Sequence, residues 1–426
     1  MWTDSQIPIR RITHGPKHHW FGYYDKLQVD PSGRYALAME VNFEGRSPGP
    51  DDEIRVGMVD LNDGDHWIEL GRSLAWCWQQ GCMLQWIPGS KRTAVWNDRE
   101  GGRFVSRLLD VLSGQERTLP LAVYTLSPDG RTALSTDFRR LNDVRPGYGY
   151  AGCTDPFAEN PAPRESGIWS MDLETGEHRL LLSLAQIREL PLPRSVAPSR
   201  NPLKGALRPV AERLGLRGPR PDLLFRRAKH WFNHILFAPD GGRFVFLNRW
   251  RFPGTTGFLT RMLTANLDGG DIRVVDDYGL TSHFIWRDPQ TLLAWSGHPS
   301  YGNAFYLYPD MNTEVFPEPV GLGVMTSNGH CTYLPGGRWI LNDTYPLAEE
   351  RMQQLYAYDT LSERRVELGA FHNPPAYCGE WRCDLHPRAT PDGRRVLIDS
   401  AHEGLGRQIY LIEIGGAPAA AGVPAQ

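Results

Sequence analysis

The chain has 426 residues, a hydrophobic share of 41% and a formal net charge of −3, which suffices for a large core and argues against a general nucleic-acid binder. No apolar run reaches the roughly 18 residues of a membrane span, so no membrane partner is expected. Gly 44, Pro 34 and Trp 14 describe a turn-rich, aromatic chain of the all-β kind. Met1 to Trp20 has no apolar core of signal-peptide length, and a cytoplasmic location follows as the expectation. Cys77, Cys82, Cys153, Cys331, Cys378 and Cys383 lack the paired spacing of a disulfide scaffold and read as free thiols.

Along the chain, His18-His19-Trp20-Phe21-Gly22-Tyr23-Tyr24-Asp25-Lys26 opens a first repeat with an aromatic density suited to sugar stacking. A tight turn follows at Asp30-Pro31-Ser32-Gly33, and similar turns recur at Pro88, Pro128, Pro239, Pro289, Pro335 and Pro391. Each turn leads into a β-rich run such as Arg34–Met39 or Arg243–Leu247. Each repeat then closes on a strand with a polar turn, as in Val59-Asp60-Leu61-Asn62-Asp63-Gly64 and Met171-Asp172-Leu173-Glu174-Thr175-Gly176. Seven openings and seven closings, spaced by roughly 40 to 57 residues, predict an all-β, seven-bladed β-propeller of four-stranded blades over residues 1–414. The interval from Pro128 to Pro239 is about double length. It predicts an insertion at about 184–230, between blades three and four, with short helices at Leu184–Arg188 and Val210–Gly215. That insertion holds 11 Lys/Arg against 3 Asp/Glu, a basic flap that would attract an anionic substrate. The Ala/Gly/Pro-rich tail at 415–426 reads as disordered.

Counting back five residues from the turn anchors Pro239, Asp288, Pro335 and Pro391 gives His234, His283, His330 and His386. In a propeller the strand before this turn lines the central channel. The same register in consecutive blades therefore places four imidazoles around one mouth. Imidazole serves both general acid–base chemistry near neutral pH and transition-metal binding. Cys383-Asp384-Leu385-His386 adds a Cys-x-x-His spacing that would favour zinc. His330 and Cys331 are adjacent on a strand, point to opposite faces and do not serve together. In the same register, Tyr124 lies four before Pro128, and Arg140 follows on what reads as the next strand. Asn248 and Arg249 occupy the matching place in the fourth blade, and Asn97 in the second. Asn and Arg at blade-repeated strand ends fit carboxylate and hydroxyl recognition. His230 and Tyr24 complete the expected substrate contacts.

The segments His18–Lys26, Trp78-Gln79-Gln80-Gly81, Asn328-Gly329-His330-Cys331, Asn342-Asp343-Thr344-Tyr345-Pro346, Cys383–Arg388 and Arg407–Ile412 resemble the β-propeller polysaccharide lyases, which include oligogalacturonate lyases and ulvan lyases. The resemblance spans nearly all blades. It implies β-elimination on a uronic acid, in which a base removes the proton alpha to the carboxylate while a cation neutralises that carboxylate. Carried over from the oligogalacturonate lyases, His234 is the base. His283, His330 and His386 hold a divalent metal, zinc or manganese, with Cys383 in place of a glutamine ligand and Arg388 where a further histidine is expected. The ulvan pattern instead matches Tyr124 and Arg140 by their spacing, but Gln79 and Gln80 stand where it has a second-blade histidine. The partner implied is an anionic oligosaccharide met by a monomer, with no nucleotide or organic cofactor. Two other functions fit the scaffold. One is a non-catalytic glycan- or protein-binding propeller. The other is a glycoside hydrolase using two carboxylates from Asp25, Asp98, Asp137 and Asp384. No Gly-x-Ser-x-Gly, phosphate loop or dinucleotide fingerprint is present.

Overall fold

The computed structural model describes residues 7–197, 220–311 and 315–415. Seven four-stranded antiparallel sheets are arranged as the repeats predict. Their first strands are His18–Trp20, Gln85–Trp86, Thr125–Leu126, Lys229–Phe237, Thr281–Asp288, Thr332–Tyr333 and Arg388–Ala389. The second strand of a blade, such as Tyr35–Val41 or Arg243–Arg251, is buried along almost its whole length. The fourth is less buried, from the mostly exposed Glu116–Leu119 to the partly covered His178–Ser183. This gradient is what face-to-face packing of neighbouring sheets requires, since central strands are covered on both sides and outer ones are not. The apolar clusters accordingly lie between blades. One joins blades two, three and four through residues such as Val95, Leu134 and Phe246, and another joins blades one, two and seven through Trp20, Trp86 and Leu397.

The repeated turn also spaces the blades. A Cβ added to Gly130 would lie 2.5 Å from the Pro88 carbonyl oxygen, and one added to Gly393 would lie 2.9 Å from the Pro335 ring, so the turns of blades three and seven pack on the turns of the preceding blades. The ring closes in a way the sequence pattern does not announce. Ile9–Arg11 pairs antiparallel with Gln408–Glu413, so the first residues supply the outermost strand of the seventh blade.

Two excursions leave blade three. The expected one begins with the helix Leu184–Arg188 and ends with the helix Pro221–Arg227. The helix expected at Val210–Gly215 and the tail at 416–426 lie outside the described residues. The other excursion, 137–166, was not foreseen. It opens with the helix Phe138–Val144, capped by the Asp137 carboxylate on the Arg139 and Arg140 amides, where a strand end is expected from the repeat.

One buried latch carries the fold into the site. Asp399 of the seventh blade accepts the amides of Phe21 and Gly22 and pairs with Arg388 at 2.8 Å. It fixes the bend that presents Tyr23 and Tyr24. Gly22 has φ +115°, and a Cβ there would lie 2.9 Å from the Gln80 backbone. Asp399→Ala strands the Arg388 charge in the interior and should cost roughly 3–5 kcal/mol of folding stability. Chemical denaturation reads this directly, and an unchanged midpoint would show that the latch is dispensable.

Candidate functional site

Blades four to seven each bring one histidine to the same end of the channel, and the backbone bends to do it. The register shifts between Asn233 and Leu236 and again between Thr281 and Phe284, so His234 and His283 sit on β-bulges, which re-aim side chains. His234 and His386 have left-handed backbones, with φ of 52° and 44°, rare and costly for a non-glycine residue. The four rings form a chain. Centroids are 6.3 Å apart for His234 and His283, 4.1 Å for His283 and His330, and 4.2 Å for His330 and His386.

Hydrogen bonds set which nitrogens face inward. His330 Nδ1 lies 3.0 Å from the Asp343 carboxylate, which also accepts the His330 and His386 amides at 2.6 and 3.1 Å. With Nδ1–H donating to Asp343, His330 presents the lone pair of Nε2. His283 Nδ1 lies 3.0 Å from Asn328 Oδ1 and has the same orientation. His330 Nε2, His386 Nε2 and Asp384 Oδ1 are buried without a hydrogen-bond partner among the described residues. Donor atoms of His330, Asp384 and His386 lie within 4.8 Å of one another. Two imidazole nitrogens and a carboxylate oxygen, with a carboxylate behind one imidazole, form a donor set that fits a divalent transition metal. His283 packs on His330 but lies outside this triad. Asp384 is itself held by Arg382, which donates to its Oδ2 at 2.7 Å.

The other side of the mouth is built around His234. Its amide donates to the Tyr124 hydroxyl at 2.9 Å. That hydroxyl donates to Asn233 Oδ1 and accepts from Gln80 Nε2. Its Nε2 lies 3.3 Å from the Tyr23 hydroxyl, and its Nδ1 is buried without a partner. Burial, then the Arg249 charge, depresses the basicity of His234 well below the usual imidazole range. Burial likewise lowers His283 and His386, and takes His330 to about 3, so all four rings are neutral near pH 7. Arg249 is 3% exposed, and its Nε and Nη1 have no partner among the described residues. Burial, with Arg145 next, lowers its pKa to about 9.

Several expected site residues have other work. Arg140 is on a helix rather than a strand. It spends all five N–H groups on Asp155 and on the carbonyls of His230, Phe157, Asn160 and Pro161, which leaves none for a ligand. Tyr124, fully bonded as above, positions His234 and is not free for proton transfer. Asn97 is tied to Val123 and Tyr150, and Asn248 to Trp231 and Arg261. His230 is buried under the helix Pro221–Arg227, with Nε2 on the Phe225 carbonyl, and faces the insertion rather than the mouth. The Cys383 thiol is outside the donor triad. Strand-like alternation turns it toward Arg407 and Asp399, and burial pushes its pKa up. Its neighbour Asp384 takes the place assigned to it. Arg388, at the position where the resemblance expects a further histidine ligand, is consumed by Asp399 and Gln28. Tyr24 does line the mouth, its ring 5.4 Å from His330, but its hydroxyl is bound to the Phe284 backbone. Of the carboxylates considered for hydrolysis, Asp98 pairs with Arg107 and Asp137 caps a helix. The residues not anticipated are Asp343, Asn328, Asn233 and Tyr23. None of them stands in the five-residue register, although Tyr23 is inside the aromatic opening segment.

Two solved structures are similar over nearly the whole length. The oligogalacturonate lyase from Vibrio parahaemolyticus superposes with a TM-score of 0.63 at 16% identity, covering 96% of this chain and 94% of that chain. A second, an oligogalacturonate lyase in complex with manganese, gives 0.62 at 15% over the same shares. No family model and no curated protein matches the chain. At this identity the likeness establishes the fold.

A structural role for Arg140 is testable. Arg140→Ala leaves Asp155 buried without its counter-charge and should lower folding stability by roughly 3–5 kcal/mol. Wild-type stability in that variant would return Arg140 to the ligand-facing groups.

Proposed function

We propose that the mouth carries out β-elimination on a uronic-acid residue of an anionic oligosaccharide. The observation that carries this reading is a neutral, buried imidazole, His234, whose Nδ1 has no partner, beside a buried guanidinium, Arg249, with two unpartnered donor atoms. A base next to an uncompensated cation is what removal of a proton alpha to a carboxylate needs. Similarity of fold to two oligogalacturonate lyases supports the same reaction class.

In the tautomer with Nε2–H donating to the Tyr23 oxygen, the Nδ1 lone pair of His234 is free to take the C5 proton. Arg249 pairs with the uronate carboxylate and stabilises the charge that spreads onto it. Tyr23, 3.3 Å from Nε2, gives its hydroxyl proton to the leaving C4 oxygen and recovers one from Nε2. The proton leaving C5 is thus balanced by the proton arriving on the leaving oxygen, and C4 and C5 are left doubly bonded. His330, His386 and Asp384 would hold a divalent cation, zinc or manganese, which supplies Lewis-acid polarisation of a carboxylate.

Incubation with a panel of uronate oligosaccharides should raise the ultraviolet absorbance of the unsaturated product. His234→Ala should abolish that signal while leaving the melting temperature close to wild type. A flat trace from folded, metal-supplied protein across the panel would favour a binding propeller instead. Substitution tests Arg249 separately. Arg249→Gln should raise KM for the uronate panel and lower kcat/KM, because the carboxylate loses its counter-charge. An unchanged KM would remove Arg249 from the carboxylate role. Metal affinity is read without turnover. Asp343→Asn should weaken binding of zinc or manganese by roughly 10- to 100-fold, because Asp343 orients His330. Unchanged affinity would place the metal elsewhere.

A further inference from the structure

Two consecutive acids on the outermost strand of blade four, Arg273–Gly279, face opposite ways. Asp277 turns toward the insertion, where its carboxylate accepts the Arg194 amide and its carbonyl accepts the Ser195 amide, both at 3.1 Å. Asp276 turns into the joint with blade five and is 0% exposed. Its Oδ2 accepts the Thr281 hydroxyl, and its Oδ1 has no hydrogen-bond partner among the described residues. The Tyr308 hydroxyl, paired with Ser296 at 2.5 Å, faces the same carboxyl. The other titratable groups around it are Asp277 and Tyr278 on its own strand, Tyr306 on the third strand of blade five, and His298, whose ring meets those of Tyr278 and Tyr306. Arg194 and Arg261, the cations on the neighbouring elements, act on Asp277 instead, and no cation pairs with Asp276 among the described residues. Hydroxyls beside a second carboxylate do not compensate a buried negative charge, so the site favours the neutral acid. Burial, with Asp277 adding to it against the Thr281 bond, pushes the Asp276 carboxyl up to about 7.

The place of this cluster in the chain gives it leverage. Leu280 alone separates the last strand of blade four from the first strand of blade five. Thr281, which Asp276 holds, opens the register shift to Phe284 that carries His283. The register also shifts on both sides of the Met262–Asp276 pair, so the carboxyl sits on a bulge of its own. We propose that Asp276 and Thr281 form a proton-dependent joint between blades four and five. With Asp276 neutral the joint is closed and the His283 bulge is held. With Asp276 ionised the joint opens locally, and the bulge loosens with it. The carboxyl titrates higher in the folded chain than in the unfolded one. The stability it contributes is therefore complete below about pH 4 and is lost as pH rises through about 7. The joint needs no ligand at the mouth and does not depend on the elimination reading.

Thermal melting of the full chain and of Asp276→Asn, which keeps the shape without the charge, tests the joint. Between about pH 5 and about pH 9 the wild-type melting temperature should fall relative to that of the variant by roughly 3–5 °C. Asp343, which burial raises to a similar value, titrates in both proteins and cancels in the difference. A difference that stays level across the range would overturn the proposal. Hydrogen exchange of the wild-type chain, corrected for the intrinsic effect of pH, locates the opening and needs no variant. Amides of Asp276–Trp286 should exchange roughly 10-fold faster at about pH 8.5 than at about pH 6, while those of blades one and two keep their rates. No local gain, or a gain spread evenly over all blades, would overturn the joint even where the melting difference moves.

Discussion

The carboxylate of Asp343 is the contact on which the mouth depends. It is 1% exposed, lies in the second strand of blade six, and accepts the amide of His330, the Nδ1–H of His330 and the amide of His386 in the next blade. One side chain thereby fixes the tautomer of one histidine, the backbone entry of another and the junction between two blades. It has no cationic partner in this role; burial raises its carboxyl to about 7, against the pull of the bonded amides. Remove it, and the left-handed turn at His386 loses the bond that holds it, while His330 is free to rotate its lone pair away from the centre. The two bulges at His234 and His283 act similarly in blades four and five, so the backbone departs from ideal strand geometry at three of the four histidines, and Asp343 fixes the fourth, His330.

Buried arginines divide into two groups by what their donors meet. Arg140, Arg261 and Arg388 are buried and bonded. Arg140 spans the 137–166 excursion and the start of blade four, Arg261 gathers the carbonyls of Ile187 and Pro191 at the insertion, and Arg388 closes on Asp399. These act as internal braces for loops whose carbonyls have no strand partner. Arg249 is the contrast: it is buried, and its Nε and Nη1 have no hydrogen-bond partner among the described residues. Buried donors left unbonded on a guanidinium are costly, and Arg249 is therefore the place where the anion of the proposed reaction would sit.

This division explains how much of the site was legible in the sequence. The histidine register was readable because it rests on a repeat: a proline turn recurs in every blade, and distance from that turn translates into height along the channel. The same reasoning failed at Arg140, because a capped helix replaces the strand end there and rotates the side chain beneath the excursion. It failed at Cys383 because a short run before Arg388–Ala389 keeps the alternation of a strand, which presents Asp384 and hides the thiol. Asn97 and Asn248 stand at equivalent heights but are consumed, Asn97 by Tyr150 in the 137–166 excursion and Asn248 by its cross-strand partner Arg261. Asp343 was visible only as part of a family-like segment. Nothing in its own spacing says that its carboxylate reaches two blades. The closing strand Ile9–Arg11 is likewise silent in sequence, since a three-residue edge strand carries almost no pattern.

The charges around His234 give the mouth a further property. Burial lowers its basicity first, and Arg249, His283, Arg145 and Lys26 each lower it further. In the free protein this keeps the imbalance tolerable, because a neutral imidazole adds no charge to a region already rich in cations. On the elimination proposed for the mouth, a carboxylate seated on Arg249 would cancel the largest of those electrostatic contributions and raise the proton affinity of His234 as a proton is taken from carbon, while desolvation keeps the ring neutral beforehand. The group that selects the ligand would then also be the one that readies the imidazole to act on it.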